Sequence, residues 1–257
     1  MNIFKRIYNY RELLKNNVKK EIRGRYKNSI LGILWTFLNP LLQLAVYATI
    51  FPLILKTTQE YYVIFVCVGL IPWTFFTTAI SQSAFTIVAN GNIIKKVFFP
   101  REILPISVVT SATVNFLISS IIIVIFCLVF GLGITKYIIF YPVILIIQYI
   151  LLLGISFILS AITVYVRDVE HFVQIILMVL FYATPIVYDG SNIPEAFRFI
   201  IILNPMSHII TAYRDIFYSQ KTPDIASLGI VLAISLVLCI GGYLIFNKLQ
   251  KGFAEEL

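Results

Sequence analysis

Long apolar stretches alternate with short polar ones along almost the whole chain. Six of them, about 30 to 55, 61 to 88, 103 to 132, 137 to 165, 172 to 188 and 225 to 246, carry no charge deep inside, and each is near or above the ~17 residues that a helix needs to cross a bilayer. All six are predicted as helices, because lipid supplies no partner for free backbone groups and the runs are far too long for barrel strands. Ahead of the first run the pattern changes period. Tyr10, Leu14, Val18 and Ile22 recur every four residues, while Arg11, Lys15, Lys19, Lys20 and Arg23 fill the remaining arc. That spacing predicts an amphipathic helix in the interface plane, within a segment 1 to 28. A solvated charged leader that merely fixes orientation is the plainer reading of the same residues.

A second departure falls between the fifth and sixth runs. Residues 189 to 223 sit in a connecting loop, yet include Phe197, Phe199, Ile200, Ile201, Ile202 and Leu203, with Asn204 and Pro205 in the middle. A loop so apolar is expected to dip back into the membrane as a helical hairpin, with arms of about 193 to 203 and 206 to 218. Broken backbone at that depth needs protein or a water-filled cavity around it, which points to a plug or gate at the mouth of a pathway. The alternative is a loop lying on the outer leaflet. Pro40, Pro52, Pro72, Pro142 and Pro185 are each expected to kink or end a helix.

Composition agrees with this class. With 60% hydrophobic and 12% charged residues among 257, the chain has more apolar surface than a water-soluble globule of this size can hide. The fold class expected is therefore all-α integral membrane: six transmembrane helices, an N-terminal interface helix and a re-entrant outer hairpin between helices five and six. One domain, 1 to 257, holds everything, with spans one to five over 30 to 188, the hairpin over 189 to 223 and span six over 225 to 246.

Charge sets the orientation. The first 27 residues hold nine of the 20 Lys and Arg, too long and too charged a block for the leading region of a signal peptide. Placing both termini in the cytoplasm puts 15 basic residues inside and five outside, the five being Lys56, Lys136, Arg198, Arg214 and Lys221. Basic residues at span ends report topology, so nucleic acid is not expected as a partner. Cys67, Cys127 and Cys239 fall in different spans without ligand spacing and read as small apolar residues, with neither disulfide nor metal expected.

Chemistry is sparse. No G-x-x-x-x-G-K-[ST] loop occurs, so the chain is not expected to hydrolyse nucleotide itself, and no enzyme activity or cofactor is assigned to it. The lack of ionisable residues deep in the spans argues against a proton- or sodium-coupled carrier. In the outer hairpin, His208, Arg214 and Asp215 form a candidate acid-base cluster, as in a membrane transferase, or simply the wet face of a helix. The inner loops are the most patterned parts. One carries Lys95, Lys96, Val97, Phe98, Phe99, Pro100, Arg101, Glu102, Ile103, Leu104 and Pro105, the other Tyr165, Val166, Arg167, Asp168, Val169, Glu170 and His171. Alternating charge beside aromatics suits docking of a cytoplasmic partner, although topogenic charge explains it equally.

These loops, with Arg25 to Trp35, Gly69-Leu70-Ile71-Pro72-Trp73, Thr184-Pro185-Ile186-Val187-Tyr188 and Asn204-Pro205-Met206, closely resemble the membrane subunit of ABC-2 type polysaccharide exporters, in order from about residue 10 to the end. The resemblance implies a permease moving lipid-linked O-antigen, capsule or teichoic-acid chains. It also implies a homodimer that works with two copies of a separate ATPase, which binds the ATP and magnesium, in a bacterial or archaeal cytoplasmic membrane. ATPase coupling is then expected of Arg23, Arg25, Lys95, Lys96, Arg101, Glu102, Arg167, Asp168 and Glu170, and the outer gate of Asn204, Pro205, His208, Arg214 and Asp215. A polyprenyl-linked glycan needs a path with lateral access to membrane lipid, walled by aromatic faces on which sugars stack. Candidates are Trp35, Phe37, Tyr47, Trp73, Phe75, Phe76, Phe181, Tyr182 and Tyr188. Within transport, the rival is an ABC-2 exporter of a small lipid or drug; outside it, a transferase built on the hairpin.

Overall fold

A computed structural model describes residues 8–26, 29–55, 59–190 and 194–257, without the side chains of Arg25, Tyr26 and Leu55. Lys27, Lys56 and the first residue of the expected hairpin, 193, lie outside the described residues, as does the Arg25 side chain. Every regular element among the described residues is helical.

Helix α1 (Arg11–Tyr26) forms where the amphipathic pattern predicted it. Its half-buried positions are Leu13, Leu14, Asn17, Val18, Glu21 and Ile22, a stripe of helical period that packs on the rest of the protein while the lysines face out. Lys20 reaches Asn90 at 3.1 Å and ties the helix down. At its start Lys15 donates to Glu12 at 2.9 Å, which holds that carboxyl below its ordinary range.

The spans follow: α2 (Trp35–Leu55), α3 (Tyr62–Ala89), α5 (Ile103–Val129), α6 (Tyr141–Tyr165) and α10 (Ile225–Leu249), with a short α4 (Gly91–Lys96) after α3. Only α3 is buried along most of its length; it is the post around which the others stand, whereas α2 keeps Leu42, Val46, Ile50, Leu53 and Ile54 exposed. Against α6, α10 approaches to backbone contact: a Cβ on Gly154 would lie 2.6 Å from the Cys239 nitrogen, and one on Gly242 would strike the Gly154 carbonyl. Paired small residues of this kind let membrane helices gain dispersion contacts where no hydrophobic drive exists. Buried Ser107, Ser111, Ser120 and Ser235 return their hydrogens to carbonyls of their own helices, so each polar group travels through the bilayer satisfied.

The fifth run departs from expectation. Instead of spanning 172 to 188, it gives a 15-residue helix, α7 (Val169–Ala183), about 22 Å long at 1.5 Å per residue and short of the ~30 Å hydrocarbon layer. It stops because Thr184 precedes Pro185, and the proline ring drives Thr184 into an extended conformation, φ −106 and ψ 132. Pro185 therefore lies beyond a helix rather than inside one. Pro142 likewise opens α6, where its missing N–H costs nothing, while Pro40, Pro52 and Pro72 are inside α2 and α3.

Where the hairpin was expected, the chain forms a lopsided bent pair of helical arms. Its first arm is a short turn, Glu195–Phe197, then α8 (Arg198–Leu203), and its second is α9 (Pro205–Phe217); the bend between them is 88°. Asn204 makes the corner by accepting from the Met206 nitrogen at 3.0 Å, with Pro205 in the first turn. Phe197, Phe199, Ile202 and Leu203 of the first arm remain exposed, whereas α9 is buried from Met206 to Phe217 except on its Thr211 side.

Candidate functional site

The bundle has two unlike ends. At one end lie α1, α4, the loops around Arg101 and Arg167, and the final turn, α11 (Phe253–Glu256). Phe253 is fully buried there, among Phe246, Phe157 and Ile87. Arg101 donates to the Gln250 carbonyl with its guanidinium over the Phe253 ring, and Tyr165 donates to the Leu249 carbonyl at 2.8 Å. The coupling residues expected at this end therefore divide. Arg101 is half-buried and Glu102 fully so, and both belong to the scaffold of the end; Arg23, Lys95, Lys96, Arg167 and Asp168 are exposed and Glu170 partly so. Phe98, in the quoted loop but not singled out, is 95% exposed, next to the half-exposed Val97. Beside the exposed Lys95 and Lys96 it is the barest ring of this end.

At the other end the break after α7 is caged. Arg214, 7% exposed, donates to the carbonyls of Pro185 and Ile186 at 2.6 Å each and of Phe65 at 3.4 Å, and its guanidinium lies 3.5 Å from the Phe65 ring centre. Tyr62 donates to the Val187 carbonyl at 2.6 Å, and Asn204 donates to the Thr184 hydroxyl at 2.8 Å. The fork of one guanidinium thus replaces the helix partners that Pro185 removed. Gly69 makes this possible: a Cβ there would stand 2.9 Å from the Arg214 Nη2 and 3.1 Å from the Ile186 carbonyl. Sequence reasoning noted Gly69 only as part of a motif, since nothing local marks a close approach by a distant arginine.

Acid-base chemistry finds no assembly at this end. A His208 ring nitrogen lies 2.9 Å from the Ile202 carbonyl, Asp215 is paired with Lys221 at 3.3 Å, and Arg214 is committed to carbonyls. No hydrogen bond or ion pair joins His208 to Asp215 among the described residues.

The nine aromatics expected along a path also divide. Trp73, Phe75 and Phe76 are buried, and Phe75 stacks on Phe116 with ring centres 4.8 Å apart. Trp73, Phe181 and Tyr47 form a chain of rings at 5.9 and 5.4 Å between α3, α7 and α2. Tyr182 and Trp35 are exposed, Phe37 and Tyr188 half-buried. Tyr188 donates to the Tyr182 carbonyl at 2.7 Å and so belongs to the cage.

Long apolar helices around a buried post, a broken segment caged at one end and docking loops at the other define a multi-pass α-helical membrane protein with the build of a transporter subunit. The ABC-2 type transporter family matches residues 12–218, and the chain belongs to that family. Over its length it is similar to proteins named O-antigen export system permease protein RfbA. One, from Klebsiella pneumoniae, is 38% identical over 96% of this chain and 95% of its own. Another, from Myxococcus xanthus, is 35% identical over all of both. Members of this family are membrane subunits rather than enzymes.

Proposed function

We propose that this chain is the permease subunit of an ATP-driven exporter that carries a lipid-linked polysaccharide of O-antigen type across the cytoplasmic membrane. End-to-end likeness to permeases named for O-antigen export is the observation that carries the reading. Two copies form the path, each with one copy of a separate ATPase on the end that bears Phe98, and both termini are cytoplasmic. The 15-to-5 excess of basic residues supports that orientation. ATP and magnesium belong to the ATPase. Its closure is felt by the exposed residues Phe98, Lys95, Lys96, Arg167 and Asp168 and passes inward through Arg101 and the buried Glu102. At the outer end, α8 and α9 hinge at Asn204 and Pro205 as the gate, steadied by Arg214.

The test is co-purification with the product of an adjacent ATPase gene, followed by ATP hydrolysis and surface-glycan staining. Wild-type chain is expected to pull down the ATPase and restore glycan to a deletion strain, and Asp168→Ala to weaken both. A chain that captures no ATPase in the cell overturns the reading.

A further inference from the structure

Between the first half of α2 and the middle of α3 and α5 lies a cavity of about 590 Å³, well within the ~300–1,000 Å³ of small-ligand sites. Its chemistry is unusual for helices this apolar. Asn39 and Gln43 stand at its exposed rim on α2; Thr74 and Thr77 line it from α3, and Asn115 from α5. Among the described residues, no charged one lines it. Of the rings beside these groups, Trp35 is exposed, whereas Phe75 and Phe116 are buried and stacked on each other.

Asn115 is the decisive residue. It is 8% exposed, and among the described residues neither its amide nitrogen nor its oxygen has a hydrogen-bond partner. An unpaired buried amide costs roughly 1–3 kcal/mol, so a donor-and-acceptor partner belongs in front of it. Thr74 and Thr77 spend their hydrogens on the Ile71 and Thr74 carbonyls, at 2.8 and 3.2 Å, and so offer oxygen lone pairs to the cavity. Carboxamides that both donate and accept, hydroxyl acceptors and flat apolar rings are the complement of a sugar: its hydroxyls pair with the first two, and its C–H face rests on the third. A phosphate would find no cation here. Lipid would leave the amides of Asn39 and Gln43 unsatisfied.

We propose that this cavity is a binding site for an uncharged sugar unit of the exported chain, with Asn115 as its anchor. The inference rests on the polysaccharide-exporter reading and adds to it where the glycan is held. It moves recognition away from the rings of Trp73, Phe75 and Phe76, which are packed in the interior, onto the polar groups of the pocket and the exposed Trp35.

The experiment uses the permease–ATPase complex in lipid nanodiscs and, as probe, the glycan of the same cells, freed of lipid by mild acid and tritiated at its reducing end. Equilibrium binding is measured for wild type, Asn115→Leu and Thr77→Val. Saturable binding that persists in high salt is expected for wild type, weakened about tenfold by Asn115→Leu and less by Thr77→Val, with ATP hydrolysis retained. Thr77→Val removes one oxygen at unchanged size and carries the test where Asn115→Leu does not fold. Equal affinity in all three proteins, no saturable binding, or displacement by undecaprenyl phosphate alone overturns the proposal. When these results come from a complex that assembles and hydrolyses ATP, the sugar site falls and the exporter reading stands; a chain that assembles with no ATPase overturns both.

Discussion

Arg214 and Phe98 sit at opposite ends of the same bundle and reverse the usual expectation for their residue types. The charged residue is 7% exposed and the apolar one 95% exposed. At the caged end, a cation has been drawn inside because the helix stops before Pro185 and leaves the Pro185 and Ile186 carbonyls buried without helix partners. At the docking end, a ring has been left outside, at an energetic disadvantage in water that association with a partner would remove. One end stores its chemistry in its own stability; the other holds it in reserve for contact.

Substitutions separate the two ends, and the largest effects belong to the cage. Arg214→Ala strands the Pro185 and Ile186 carbonyls and is expected to cost about 3 kcal/mol or more, read as a lowered unfolding midpoint in detergent; Arg214→Lys recovers only part, since an ammonium cannot fork. Gly69→Ala pushes on the same guanidinium from α3 and is expected to destabilise by about 1–3 kcal/mol. If Arg214→Ala melts like wild type, the cage is not what holds the break. Phe98→Ala should show the converse, with a midpoint within about 0.5 kcal/mol of wild type but loss of ATPase capture. Unchanged capture would remove Phe98 from the docking surface.

The smallest effect concerns pH. Asp224, just before α10, accepts from Ser227 and from the Ala226 nitrogen, and these bonds hold its carboxyl below the ordinary range. A lowered folded value means a contribution present above the carboxylate's ordinary pKa and lost as pH falls through the lower folded one. The midpoint difference between wild type and Asp224→Ala is therefore expected to be small at neutral pH and to vanish in strong acid. A difference that grew on acidification would contradict the cap.

Much of this was legible in one dimension. Tyr10, Leu14, Val18 and Ile22 announced α1, and Asn204-Pro205 announced a corner that the structure bends by 88°. Less legible was the end of α7: the apolar run continues to Tyr188, and only the pairing of Thr184 with Pro185 marks the stop at Ala183. The residues expected to couple to a partner differ in exposure. Arg101 and Arg167 look alike in the sequence, yet one grips the Gln250 carbonyl and the other faces out. Nothing local marks Asn115, because its lack of a partner among the described residues depends on two other helices.

The sequence by itself determined the membrane class and most of the helices, because lipid enforces hydropathy and backbone pairing residue by residue. Tertiary structure alone decided which polar groups are committed and which are open. That outcome depends on contacts between residues far apart in the chain, such as Arg214 across Gly69 to Ile186, and no local pattern records them.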